Sequence, residues 1–193
     1  MIKPIILAFA GSLRKDSSNK KLVKIAAQGA TEEGAQVILI DLLDYPLPIY
    51  NEDIESSTGL PPNALKLKEL MNQAHGFIIA SPEYNSSISG VLKNLIDWTS
   101  RKSTPEETYL SAFIGKVAII MSASPSPLGG VRGLAHLRNI LENINTLVLP
   151  QQKTLSCTTE TFDENDNLKS KKDQENILAL GKKLSQTIQK LAG

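Results

Sequence analysis

Two stretches of this chain carry the residue types that hold anions and flat heterocycles, and neither pairs a nucleophile with a base. The first, residues 11–19, reads GSLRKDSSN, with Ser12, Ser17, Ser18 and Asn19 supplying hydroxyl and amide donors and Arg14 a guanidinium. Where a strand gives way to a helix, such a loop offers backbone N–H groups and the positive end of the helix dipole to a phosphate dianion. Arg14 adds two parallel hydrogen bonds. The same residues also suit a plain serine N-cap with Arg14 and Lys15 solvated. Two common nucleotide patterns fail: Asp16 and Ser17 stand where a P-loop needs Gly and Lys, and Leu13 and Asp16 where a dinucleotide fingerprint needs its later glycines. Without those glycines Asp41 reads as a cap or surface residue.

The second stretch, residues 81–98, reads SPEYNSSISGVLKNLIDW. Pro82 ends an apolar run, and Glu83, Tyr84 and Asn85 form a polar turn that can present backbone groups to the edge of a flat heterocycle and Tyr84 to its face or rim. Trp98 reads as a core aromatic. A third loop, SASPSPLGGVRG at residues 122–133, has two prolines and three glycines, which suits either close approach of a ligand to the backbone or an ordinary strand-to-helix connection. Cys157 reads as an inert thiol and His136, near Arg132 and Arg138, as a surface or interface residue.

These loops need a scaffold that gathers them. Apolar runs at residues 4–10, 37–42, 76–81, 116–122 and 146–149 read as five buried strands. Helical patterns separate and follow them. One carries Leu22, Ile25, Ala26 and Gly29 on one face. Others span residues 61–73, with Leu65, Leu67 and Leu70 as core candidates, residues 90–100 and residues 130–143. The last places Ile177, Leu180, Leu184, Ile188 and Leu191 on one stripe. Repeated strand–helix alternation with continuous apolar strands predicts an α/β fold, a doubly wound five-stranded parallel sheet with helices on both faces, as a single domain over residues 1–193. Ligands of such sheets sit outside the carboxyl ends of the strands, where the strand order reverses. The loops after strands one, three and four are therefore the ones to watch.

Composition removes whole classes of function. The chain has 193 residues, 41% hydrophobic and 21% charged, which argues against disorder. With 21 Lys+Arg against 20 Asp+Glu, the net charge of +1 lacks the basic excess of a nucleic-acid protein. One cysteine and two histidines cannot build a disulfide or a cysteine-rich metal site, so no metal is expected. The apolar run near Met1 is too short for a secretory or membrane segment, which leads to the expectation of a soluble, cytoplasmic protein.

Gly11-Ser12-Leu13-Arg14 with Ser17 and Asn19, then Pro82-Glu83-Tyr84-Asn85, Gly90, Leu92-Lys93-Asn94 and Ile96-Asp97-Trp98, resemble the NADPH-dependent FMN reductase family. The resemblance extends through Gly129-Gly130, Leu137-Arg138 and Leu141 to Phe162-Asp163 and Asn167-Leu168. The sequence departs from it at Pro125 and Pro127 and at the Asn165-Asp166-Asn167 turn, where relatives favour glycine. The resemblance implies a flavodoxin-like fold and an FMN site of Ser12, Leu13, Arg14, Ser17, Asn19, Pro82, Glu83, Tyr84, Asn85, Ser122 and Ser124. Ser12, Arg14, Ser17 and Asn19 would hold the phosphate, residues 82–85 would line the isoalloxazine, and Ser122 or Ser124 would touch its far side. It further implies NADPH or NADH as co-substrate. Hydride would pass by a ping-pong cycle to quinones, azo compounds, free flavin or similar small-molecule acceptors. It also implies a homodimer or higher homo-oligomer, with Leu95 and Trp98 available either to that interface or to the core. No side chain is expected to act as an acid or base, since the cofactor carries the chemistry. The alternative, an FMN-binding electron-transfer module of flavodoxin type, sits poorly with a nearly neutral chain.

Overall fold

In the computed structural model, which describes residues 2–158 and 160–193, the strands form one all-parallel sheet. They are β1 (Ile5–Ala10), β2 (Gln36–Leu39), β3 (Gly76–Ala80), β4 (Val117–Ser124) and β5 (Leu147–Ser156), in the order β2-β1-β3-β4-β5. Six helices connect and follow them: α1 (Ser18–Glu32), α2 (Glu52–Thr58), α3 (Pro62–Gln73), α4 (Gly90–Thr99), α5 (Val131–Asn143) and α6 (Lys171–Leu191). The order reverses between β1 and β3, so the loops that leave these two strands face each other across the switch point.

Strand alternation sorts the core into two layers. Ile6, Ala8 and Ala10 of β1, with Ile78, Ala80, Ile119 and Met121, pack under α1 and α6; Leu7, Phe9, Phe77, Ile79 and Ile120 pack under α3, α4 and α5. The two outer helices on the first face nearly touch. A Cβ on Gly29 of α1 would fall 2.1 Å from the Leu178 carbonyl oxygen, and one on Gly181 of α6 would fall 1.8 Å from that of Ala26. The glycines permit this close crossing.

Several boundaries differ from the sequence reading. β5 was expected to end at Leu149, before Pro150, yet it continues to Ser156. The register with β4 shifts between Ala118 and Ile120, so Pro150 falls where no ladder N–H is required. Arg138 donates to the freed Val148 and Leu149 carbonyls at 3.2 and 2.8 Å. β2 stops at Leu39, because Asp41 accepts a hydrogen bond from Leu43 N–H at 3.0 Å and starts a short 3₁₀ turn. α2 was not anticipated: it buries no side chain and so shows no apolar stripe, although Asn51 caps it through Asp53 N–H. Leu65 and Leu191 lie exposed, whereas Leu67 is core. Leu95 and Trp98 are both buried inside the chain, which assigns them to the core and not to an interface.

Candidate functional site

The loop after β1 opens α1 with its donors uncommitted. Ser17 occupies the N-cap position in extended conformation, yet its side chain makes no capping hydrogen bond. Ser12 and Ser17 are nearly buried, and Ser12 Oγ accepts only the Arg14 N–H, at 3.4 Å. Among the described residues Arg14 forms no ion pair. Leu13 points outward, 46% exposed. Neighbouring charges are occupied: Lys20 pairs with Asp41, and Lys21 with Asp16 and Asp166 at 2.7 and 3.0 Å.

Asn19, expected beside Ser12, Arg14 and Ser17 at the phosphate, also fastens two elements together. Its Nδ2 donates to the Ala123 carbonyl and its Oδ1 accepts the Ala123 N–H, both at 2.9 Å. This clasp ties the start of α1 to the end of β4 and leaves one amide proton free. Ser89 ties the next pair of loops, donating to the Gly11 carbonyl at 2.6 Å while its Oγ caps α4 at Leu92 N–H. Gly11 must be small, since a Cβ there would lie 2.9 Å from Leu92 Cβ.

Beyond β3 the chain makes a tight hairpin. Tyr84 N–H donates to the Ser87 carbonyl at 2.9 Å and Ser87 N–H to the Tyr84 carbonyl at 3.0 Å. The two residues between, Asn85 and Ser86, have φ of 48° and 66°, the left-handed pair of a type I′ turn. Tyr84 is 51% exposed, and the Asn85 and Ser86 N–H groups donate to no described residue. The turn therefore presents two backbone donors beside an open aromatic ring. Pro82 is half-buried at the foot of this turn.

Glu83 does not face outward with them. Its carboxylate accepts from Arg132 Nε and Nη2 at 3.0 and 2.6 Å and from Gly133 N–H at 2.9 Å. Burial pushes its carboxyl pKa up, but the N–H of Gly133 and the Arg132 guanidinium outweigh this and hold it below the ordinary range. Its side chain is thus engaged as a clamp on α5. Ser122 is likewise turned inward. It exposes no surface and lies under Gly130, where a Cβ would come 2.0 Å from its Oγ, so it forms floor and not contact surface. Its hydroxyl is buried without a hydrogen-bond partner. Ser124, half-buried, accepts from Ser126 N–H at 3.3 Å and shapes the proline-containing loop.

Sequence reading missed what Asn94 and Trp98 do. Asn94 Nδ2 and Trp98 Nε1 both donate to the Pro48 carbonyl at 2.8 Å, and Asn94 Oδ1 accepts Tyr50 N–H at 2.8 Å. They strap the segment around Pro48 across α4, beside a cavity of about 170 Å³ lined by Leu13, Leu43, Leu47 and Val91 among others. Their spacing, one helical turn apart, was the available signal. Cys157 is buried, and burial raises its thiol pKa, in keeping with an inert role. His136 Nδ1 lies 3.0 Å from Ser87 Oγ. Among the described residues no cluster of potential ligands could hold a metal, and no helix is long and apolar enough to cross a membrane.

A parallel sheet of this order, with donor-rich turns on both sides of its switch point, defines a flavodoxin-like α/β protein. The chain belongs to the NADPH-dependent FMN reductase family, which it matches over residues 4–160. It is 34% identical over 189 residues to an NAD(P)H-dependent FMN reductase of Pseudomonas aeruginosa, covering 97% of both chains. It is also 34% identical to a quinone reductase of Escherichia coli over 144 residues, 75% of this chain and 72% of that one. Among solved structures it is similar to FerB, a flavoenzyme NAD(P)H:(acceptor) oxidoreductase from Paracoccus denitrificans. The TM-score is 0.80 at 26% identity, covering 97% of this chain and 98% of that one. The chain is therefore an oxidoreductase of a family that works with FMN and a nicotinamide.

The residues present fit that cofactor. A phosphate dianion needs donors without acceptors nearby, and the β1–α1 loop offers an unpaired guanidinium, two hydroxyls and a helix N-terminus. An isoalloxazine edge needs backbone donors held rigidly, and the Tyr84–Ser87 turn offers two.

Proposed function

We propose that this chain, acting as one FMN-binding unit, passes hydride from NADPH or NADH to small-molecule acceptors such as quinones, azo compounds or free flavin. The observation that carries the reading is the facing pair of donor-rich turns at the β1/β3 switch point, one anion-seeking and one shaped for a flat ring edge. In this reading Ser12, Arg14 and Ser17 bind the phosphate, with the backbone at Leu13 beside them. Asn19 acts mainly by holding α1 to β4. Pro82, Tyr84 and Asn85 border the ring, and Ser124 sits at the far rim.

Bound FMN supplies the hydride-transfer chemistry. The protein's part is to bind, orient and stabilise charge. The N–H groups of Asn85 and Ser86, which donate to no described residue, would steady negative charge on the ring edge. No side chain in these turns is required as acid or base.

Nicotinamide and acceptor take turns at one open face beside Tyr84, which makes the kinetics ping-pong. Initial rates at varied NADPH and quinone should give parallel double-reciprocal lines; intersecting lines would mean both substrates bind together and would sink the shared-face reading. A homodimer or higher homo-oligomer is part of the proposal. The outward-facing Leu13 and Leu43, which line the apolar cavity, and the exposed Ile49 support it. A cytoplasmic location fits a lone, buried, unpaired cysteine.

A further inference from the structure

The hairpin turn at the site is internally costly. Asn tolerates left-handed backbone, but Ser86 at φ 66° has no such ease, and each non-glycine residue held there costs about 1–2 kcal/mol. A turn of this kind persists only when its surroundings impose it. The surroundings are the first two turns of α5, which grip the hairpin on both sides of the strained pair.

On the near side, Glu83 receives three hydrogen bonds from Arg132 and Gly133. On the far side, His136 Nδ1 meets Ser87 Oγ at 3.0 Å. Between them the fit is close: a Cβ on Gly133 would lie 3.0 Å from the Ser87 carbonyl and 3.4 Å from Glu83 Cβ. The Glu83 side chain is 5% exposed and that of Arg132 52%, so the carboxylate is the buried half of the pair. Glu83 directly precedes Tyr84, so fixing its carboxylate fixes where the turn begins.

We propose that Glu83 is a positioning residue for the flavin: clamped to the start of α5, it holds the Tyr84–Ser87 turn in the shape that meets the isoalloxazine, without touching the ring itself. The assignment rests on the FMN reading above. It makes a signature that separates it from the phosphate loop. A defect at the ring edge weakens FMN and riboflavin alike, whereas a defect at the phosphate weakens FMN alone.

The test uses full-length wild type, Glu83→Gln, Arg132→Gln and the double variant, each stripped of flavin and titrated with FMN and with riboflavin. The spectrum of the bound flavin and the melting temperature of the stripped protein are recorded in parallel. Glu83→Gln keeps the shape and an acceptor for Gly133 but loses the charged fork with Arg132. Each single variant is expected to raise Kd for both flavins about tenfold. Each should also shift the bound-flavin spectrum, and the double variant should be little worse than either single one because the two residues act as one unit. If Glu83→Gln fails to fold, Arg132→Gln, altered at an exposed side chain, carries the test alone. Unchanged affinities and spectra in a folded variant overturn the assignment, as does a loss confined to FMN. A wild-type protein that takes up neither flavin overturns the FMN reading and this assignment with it.

Discussion

Asn19 and Ala123, 104 residues apart, exchange two buried hydrogen bonds of 2.9 Å, side-chain amide to backbone peptide. The pair fastens the phosphate-type loop at the head of α1 to the end of β4, so it ties together two of the three loops at the sheet edge. Substituting Asn19→Ala leaves the N–H and C=O of Ala123 buried and unpaired. The expected loss is about 2–4 kcal/mol of unfolding free energy, measured by urea denaturation. A loss below 1 kcal/mol would show that water replaces the amide and that the clasp is not structural.

Arg14→Gln should separate anion binding from ring binding. With the guanidinium gone, FMN affinity is expected to fall roughly 10- to 100-fold, while riboflavin affinity and the melting temperature of the flavin-free protein stay as they were. Equal loss of both flavins would move the phosphate away from this loop.

The contact between α1 and α6 predicts a steric penalty with no chemical component. Gly181→Ala drives a Cβ to within 1.8 Å of the Ala26 carbonyl oxygen. The helices must separate, at a cost of roughly 2–3 kcal/mol, read as a lower urea midpoint at an unchanged m value. A wild-type midpoint would mean that the helices slide apart freely.

Glu107 gives the fold a defined acid sensitivity. It accepts hydrogen bonds from Lys68 Nζ, Ser103 N–H, Ser103 Oγ and Ser111 Oγ at 2.6–2.7 Å. Burial raises its pKa, but these partners overcome that and bring it to about 2 from 4.5. A carboxylate held low stabilises the folded state above its unfolded pKa, and that stability fades as pH falls from about 4.5 towards 2. Glu107→Gln should remove up to about 3 kcal/mol at neutral pH and flatten the stability profile over that acid window. A wild-type acid slope in the variant would place the sensitivity elsewhere.

What could be read from the sequence follows from what leaves a local signature. The strands of the sheet and the five amphipathic helices left apolar periodicity, so the doubly wound fold was legible from residues such as Leu22, Ile25 and Ala26. α2 left none, because nothing in it is buried, and the far half of β5 was hidden by Pro150 and by the polar residues of an edge strand. At the site, residue types were legible but side-chain directions were not. Asn19 and Glu83 stand among ligand-like neighbours, yet partners 104 and 49 or more residues away turn them to structural work. Asp166 takes a left-handed turn conformation at φ 63° and also supplies a carboxylate that Lys21 and Lys24 bind. Long-range pairings of this kind have no spacing rule, and only the fold reveals them.

The central claim is that this sheet edge binds FMN and uses it to take hydride from a nicotinamide. The direct measurement is anaerobic titration of the FMN-loaded protein with NADPH, followed by a quinone. The account predicts that the yellow flavin absorbance bleaches on adding NADPH and returns on adding the quinone. A protein that binds FMN yet stays yellow with excess NADPH and NADH would contradict it and restore the electron-carrier reading.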